Sequence, residues 1–464
     1  MNRIAGGAAA ILAAGVIGGV VWLNTSAFGT IYLPSGTGIT AKQTCSLTFV
    51  SGLPAERAQA LYTDPLLGDV AGLVTTDIDY EAGEATAGVL GLFWRQRAVY
   101  RDGLGCTLVH GSGDFDREAA APLPAAAAPM ALDSAHRDAH FDAEALQAAV
   151  DAAFTEDGRN TLGVVVLHDG RLVAERYADG VTDETPLHGW SMTKSLAATV
   201  AGVLVQRGLI DMEAEGQVPA LIDAERPDIT IEHLLRMTGG LAGYERNDGS
   251  DPNSDMLFTE SDMARFAATR DVIAAPGERW DYQSGNTILA GSGLEPHLGD
   301  AVSEKIETLR DWLFEPLGMH RSVLEADEAG TLQWSSYMYA SARDWARLGQ
   351  LYVNDGRAPD GTRIIPADWD AIVSTPTEGA QDGVYGLGFW LGHPSSAAPR
   401  PAYYMSGFQG QLGYVFPEQD LVVIRLGATN FQPSGGYQLA AAVADALAPP
   451  APERSGFDDA PSPD

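Results

Sequence analysis

Two apolar hairpin patterns sit at opposite ends of a long helical stretch. Thr161–His168 and Arg171–Tyr177 are rich in β-branched and aliphatic residues and are joined by Asp169-Gly170, a dipeptide that suits the positive φ angles of a type I′ turn. Leu412–Phe416 and Leu421–Leu426 repeat the pattern around Pro417–Asp420. Between the hairpins, apolar positions recur mostly at helical spacing. Just upstream, Asp142 precedes Ala143, Leu146, Ala149, Val150 and Phe154, the signature of a capped helix with one apolar face. Terminal hairpins separated by a helical insert predict an α+β fold, with an antiparallel sheet whose first and last strands pair.

The remainder of the chain divides by composition. Ile4–Leu23 is an almost unbroken run of apolar and small residues behind Arg3. At roughly 20 residues it is long enough to span a bilayer. Thr25-Ser26-Ala27 resembles a weak cleavage site, so residues 1–27 read as a signal anchor or a signal peptide. Residues 28–41, with their Gly, Thr, Ser and Pro, read as a linker. A small domain over 42–118 follows, with strand-like runs at Arg97–Tyr100 and Cys106–His110. Residues 119–135 form a second linker, where closely spaced prolines defeat helix and ladder alike. The main domain spans 136–448, and the Pro, Ser and Asp-rich tail 449–464 reads as disordered.

Charge narrows the partners. The formal net charge is -33, which would repel phosphate backbones and excludes nucleic acid as a partner. Lys42, Lys194 and Lys305 are the only lysines among 464 residues, so each one invites an explanation. An exported chain, with Arg3 on the cytoplasmic side, places the main domain in the periplasm, anchored to the inner membrane if the apolar run is retained. In that compartment the only two cysteines, Cys45 and Cys106, are expected to pair.

Ser191-Met192-Thr193-Lys194 opens a run to Leu209 that is apolar around most of its circumference, as in a helix buried on nearly all sides. Three residues apart on a helix, Ser191 and Lys194 share a face. A serine hydroxyl is a weak nucleophile until a base takes its proton. A lysine serves as that base only when neutral, and burial together with a helix N-terminus disfavours the ammonium. Two further segments carry suitable chemistry. Tyr282 lies just before a helix expected over Asn286–Leu294, where a phenol can relay a proton to a leaving group. Ser406-Gly407-Phe408-Gln409-Gly410-Gln411 leads into the last hairpin, and its glycines permit close backbone approach to a substrate.

In that order, Ser191-x-x-Lys194, Tyr282-x-Ser284 and the glycine-containing terminal strand resemble the three motifs of the penicillin-binding-protein and class C β-lactamase family. Trp190–Ser195, Thr230–Thr238, Leu313–Met319 and Ser336–Asp344 strengthen the likeness, nearest the branch of 6-aminohexanoate-dimer hydrolases and β-lactamase-like esterases. The resemblance covers about residues 140–448. It implies an antiparallel sheet flanked by helices plus an all-helical lobe, with Ser191 as nucleophile, Lys194 as base and Tyr282 as proton relay. It also implies an oxyanion hole from the backbone N–H groups of Ser191 and Gln411, with no cofactor. Two departures stand out. Ser284 replaces the usual asparagine, and Phe408-Gln409-Gly410 stands where lactamases carry Lys-Thr-Gly or a close variant. Loss of that cation disfavours an anionic β-lactam and favours an uncharged acyl group on an ester or small amide. Trp190, Ser284, Tyr337, Phe408, Gln409 and Gly410 are the expected substrate contacts.

Other features compete less well. No G-x-S-x-G occurs, which argues against an α/β-hydrolase elbow. His136 and His140 have i,i+4 spacing without the glutamate of a zinc protease, so no metal site is expected. His188, close to Ser191, reads as a pocket wall, because Lys194 already supplies the base. The alternative functions are a weak β-lactamase or D-alanyl peptidase, or a catalytically silent envelope binding protein.

Overall fold

The computed structural model describes residues 22–23, 25–111, 115–124, 130–155, 158–246, 249–392 and 402–447. The apolar run up to Val21 and the tail from 448 onward lie outside the described residues. Among the described residues no helix is long and apolar enough to cross a membrane.

The segment expected to be a linker, 28–41, is helical and buried. After a wider turn at Phe28–Tyr32, helix α1 (Leu33–Phe49) continues without a break. Its small residues are a packing surface: a Cβ on Gly38 would stand 2.5 Å from the Phe258 carbonyl oxygen, and one on Gly36 would meet Leu67. The Thr37 and Thr40 hydroxyls bond back to the Leu33 and Gly36 carbonyls at 3.1 and 2.7 Å, which satisfies them inside the protein. A Gly/Ser/Thr-rich composition therefore marks close helix contact here, not an exposed tether.

Helix α1 lies across an antiparallel meander of β1 (Val74–Asp79), β2 (Glu84–Val89), β3 (Phe93–Arg101) and β4 (Gly105–Val109). Ala41, Cys45, Ala85, Ala87, Ala98 and Cys106 fill the interface, and a Cys45–Cys106 disulfide joins α1 to β4.

The main domain starts with α2 (Ser134–His140) and α3 (Ala143–Thr155), the latter capped by Asp142, whose Oδ1 accepts from Glu144 and Ala145 N–H. Strands β5 (Thr161–His168) and β6 (Arg171–Tyr177) form the first hairpin, with φ of 52° at Asp169 and 68° at Gly170, the positive values that the turn requires. The later strands are β7 (Trp390–Leu391), β8 (Tyr403–Gly407), β9 (Gln411–Phe416) and β10 (Leu421–Gly427). The six-stranded antiparallel sheet runs β7-β8-β9-β10-β5-β6, so the first strand pairs with the last as expected.

Both faces of this sheet are covered, which explains its continuous apolar runs. Val164 and Val166 meet α3 and the C-terminal helix Gly436–Asp445. Val165 and Leu167 face the main core, with the helices Thr193–Gln206 and Ala342–Val353. The insert between β6 and β7 supplies the helical lobe, including helix Ser284–Leu294 and a small sheet in which Met338–Ala340 lies between Leu187–His188 and Ser322–Leu324.

A buried ion pair binds the N-terminal segment to this domain. Lys42 on α1 and Glu325 are both fully buried and joined to each other. Glu325 Oε1 also accepts from Ser46 Oγ at 2.7 Å and Cys106 N–H at 2.6 Å. Breaking such a pair from one side costs about 3–5 kcal/mol, because the remaining charge keeps its desolvation penalty. Lys42→Met should therefore lower urea-denaturation stability by about that amount. Adding Glu325→Gln, which keeps the acceptor for Ser46 and Cys106, should recover part of the loss. A single substitution that costs under about 1 kcal/mol would contradict the pair's role.

Candidate active site

Ser191 stands on the short turn Trp190–Met192 that leads into helix Thr193–Gln206. Trp190 has φ of 47°, a left-handed conformation that a bulky residue adopts only when its surroundings hold it there. Its indole N–H donates to Gln409 Oε1 at 2.9 Å, and its ring meets Phe408 edge-on. The strained residue thus lies between Ser191 and the tight turn after β8.

Lys194 is 1% exposed, and its Nζ lies 3.1 Å from Ser191 Oγ, 2.9 Å from Ser284 Oγ and 3.2 Å from the Ser335 carbonyl oxygen. A neutral amine has two N–H groups and one lone pair. The Ser335 carbonyl can only accept, and Ser284 can take the second N–H, so the lone pair is left for the Ser191 hydroxyl proton. Burial pushes the Lys194 amine below the ordinary lysine range, and Glu245, 3.9 Å away, opposes that shift in part. Ser284, standing in place of asparagine, serves here as the amine's acceptor.

Tyr282 forms the opposite wall. Its ring centroid is 5.1 Å from Lys194 Nζ, and its hydroxyl interacts with Ser191 and Trp390. Burial, and after it the carboxylate of Glu245, pushes the phenol well above its ordinary range. A phenol held protonated in this way is a proton donor.

These residues open on a pocket of about 420 Å³ lined by Trp190, Ser191, Tyr282, Ser284, Ser406, Gly407 and Phe408. Tyr32, Ser35 and Ile39 from the N-terminal segment close a further wall. Glu245 is the one acidic side chain among the described lining residues, and its Oε1 has no hydrogen-bond partner among the described residues.

Four expected site residues lie elsewhere. Tyr337 is fully buried beneath His188 and Trp190, with Lys42 over its ring. Gln409 points away from the pocket and donates to the Tyr62 carbonyl and Asn430. Gly410 packs against Ser434 and Arg425. Gln411, expected to offer its backbone N–H, is buried and not among the residues lining the pocket, and its side-chain amide is tied to the backbone of Gly427. The pocket-lining stretch is instead Ser406-Gly407-Phe408, two residues earlier. Among the described residues β7 pairs with β8 only at Tyr403 and Tyr404, so beyond Tyr404 no described strand covers that edge of β8, which runs beside the turn that carries Ser191. A Cβ on Gly407 would stand 2.3 Å from the Gly189 carbonyl, which shows how closely the two backbones approach. His188 is not a base for Ser191. Its Nε2–H donates to the Ser336 carbonyl at 2.7 Å, its Nδ1 meets Gln43, and burial pushes it down to about 3.

Glu245 and the wall from α1 were missed in the sequence. Neither belongs to a spaced motif, and only the fold brings them to Ser191.

A flanked antiparallel sheet, a helical lobe and a serine–lysine pair between them define a class of protein, the serine hydrolase fold shared by β-lactamases and transpeptidases. This chain belongs to the Beta-lactamase family, whose profile matches residues 146–448. It is 30% identical to "Penicillin-binding protein 4" of Amycolatopsis lactamdurans over 54% of this chain and 72% of that one. It is 24% identical to the "6-aminohexanoate-dimer hydrolase" of Paenarthrobacter ureafaciens over 57% of this chain and 71% of the relative. A solved structure of a putative 6-aminohexanoate-dimer hydrolase from Bacillus anthracis superposes with a TM-score of 0.54 at 21% identity, covering 68% of this chain and 86% of that one. At that identity the superposition speaks for the fold alone.

Removing the Ser191 hydroxyl should abolish covalent labelling by a fluorophosphonate. Ser191→Ala should change stability by no more than about 0.5–1.5 kcal/mol, the net contribution of one hydrogen bond. Labelling that persists in this variant would place the nucleophile elsewhere.

Proposed function

We propose that the protein is a serine hydrolase that cleaves esters or small amides with an uncharged acyl group, through an acyl-enzyme on Ser191. The convergence of Ser191, Lys194 and Tyr282 on a pocket whose described lining residues include no Lys, Arg or His carries this reading.

The Ser191 Oγ attacks the substrate carbonyl as its proton passes to the neutral Lys194 amine. Charge on the carbonyl oxygen is met by the backbone N–H of Ser191 and by a donor from the open edge of β8, at Gly407 or Phe408 in place of Gln411. Tyr282, protonated, passes a proton to the leaving alkoxide or amine and is restored from Lys194. Water then cleaves the acyl-enzyme: the same amine accepts its proton and returns it to Ser191 Oγ as the acid departs.

Charge selects the substrate. A lactamase meets the β-lactam carboxylate with a cation, whereas this pocket presents Phe408 and the carboxylate of Glu245. Of the two arginines that could substitute for that cation, Arg343 is engaged by Glu175 and Asp183, and Arg400 lies outside the described residues. The apolar wall from Tyr32, Ile39, Leu66 and Leu67 suits an aliphatic group. The names of the relatives, among them "Esterase EstB" of Burkholderia gladioli, accord with ester and amide substrates. The Ile4–Leu23 run and the Cys45–Cys106 disulfide support an enzyme exported to the periplasm.

The second-order rate constant kcat/KM should be larger for p-nitrophenyl butyrate than for nitrocefin by about 10- to 150-fold, the worth of one missing charge-assisted hydrogen bond. Glu245→Gln should narrow that ratio by roughly 10-fold through loss of one like-charge repulsion. Taking the ratio cancels any effect of the substitution on Lys194. A wild-type enzyme that prefers nitrocefin would overturn the ester reading.

A further inference from the structure

The geometry points to a divalent transition-metal site, of the class that takes zinc, formed by His136, His140 and His168. The sequence gives the first two at i,i+4 spacing, and the fold adds the third from the far end of β5. One imidazole nitrogen from each lies within 4.8 Å of the other two. His136 Nε2 and His168 Nδ1 face each other at 2.9 Å. Tetrahedral zinc with bonds of about 2.0–2.1 Å separates its ligand nitrogens by about 3.3 Å, so these two need to open by only a few tenths of an ångström.

The surrounding bonds prepare the rings for a metal. His140 Nδ1–H donates to the His136 carbonyl at 2.9 Å, which leaves Nε2 as the free lone pair. A backbone acceptor on the second nitrogen is how metal-bound histidines are commonly oriented. His168 is 9% exposed, and the edge of its ring is fixed by Phe141 at 5.2 Å. The Asp133 side chain caps α2 at His136 N–H and pairs with Arg171, which holds the helix against the β5–β6 hairpin. Asp169 and Asp420 add negative charge beside His168. Three imidazoles packed with centroids 4.1–5.1 Å apart repel when protonated, and a cation among them replaces the single proton that His136 and His168 can share.

The site is remote from Ser191. The Thr161 end of β5 is tied through Arg425 to Gly410 behind the pocket, and His168 lies seven residues further, roughly 24 Å by the rise of a strand. Its role is structural: the metal staples α2, where the main domain begins, to the β5–β6 turn.

Zinc chloride titrated calorimetrically into the full chain, free of any polyhistidine tag and stripped with chelator, should show one saturable site of micromolar or tighter Kd. His140→Ala removes an exposed ligand and spares the core, and it should weaken binding at least 10-fold. His136→Ala should do the same. Zinc should raise the Tm of the wild type and not of His140→Ala, while ester hydrolysis stays the same with and without metal. The absence of saturable binding, or equal affinity in wild type and His140→Ala, would overturn the site.

Discussion

The site depends on keeping a lysine amine out of water. Lys194 sits in the first turn of a helix buried between sheet and helical lobe, and burial is the largest influence on its protonation. Its hydrogen-bond partners, two hydroxyls and a carbonyl, carry no charge that would hold it as an ammonium. Glu245 pulls the other way. The amine thus stands between desolvation, which lowers its basicity, and one nearby carboxyl group, which raises it.

The N-terminal segment is part of this environment. Helix α1 lends Ser35 and Ile39 to the pocket wall, and its Gln43 holds His188 and Tyr339 on the far side of the nucleophile turn. Lys42 completes the attachment. All three lysines are buried and face carboxylates: Lys42 with Glu325, Lys194 with Glu245, and Lys305 with Glu295. In a chain with a net charge of -33, lysine is confined to positions where a buried carboxylate faces it, and arginine serves the surface pairs such as Arg171–Asp133 and Arg363–Asp355.

Local signals carried much of the architecture. The Asp169-Gly170 turn, the Asp142 cap and the Ser191–Lys194 spacing each rest on interactions within a few residues, so they are visible in one dimension. The helix at 33–49 was not, because Gly, Ser and Thr serve exposed tethers and tight helix contacts equally, and only Phe258 and Leu67 across the interface decide between them. The same limit displaced the third motif. Two Gly-containing triplets overlap in Ser406–Gly410, and the open edge of β8, which selects the earlier one, is a property of strand pairing. Glu245 carries no local signal at all.

The central claim is that Lys194 is the base because burial keeps its amine neutral. The most direct test is the pH dependence of the rate at which a fluorophosphonate acylates Ser191, with Glu245→Gln alongside the wild type. The wild-type rate should rise with pH to a plateau, its midpoint well below the ordinary lysine value of about 10.4. Removing the carboxylate that favours the ammonium should move the midpoint lower still. A rate that climbs through pH 10 without levelling would show a lysine of ordinary basicity and contradict the account.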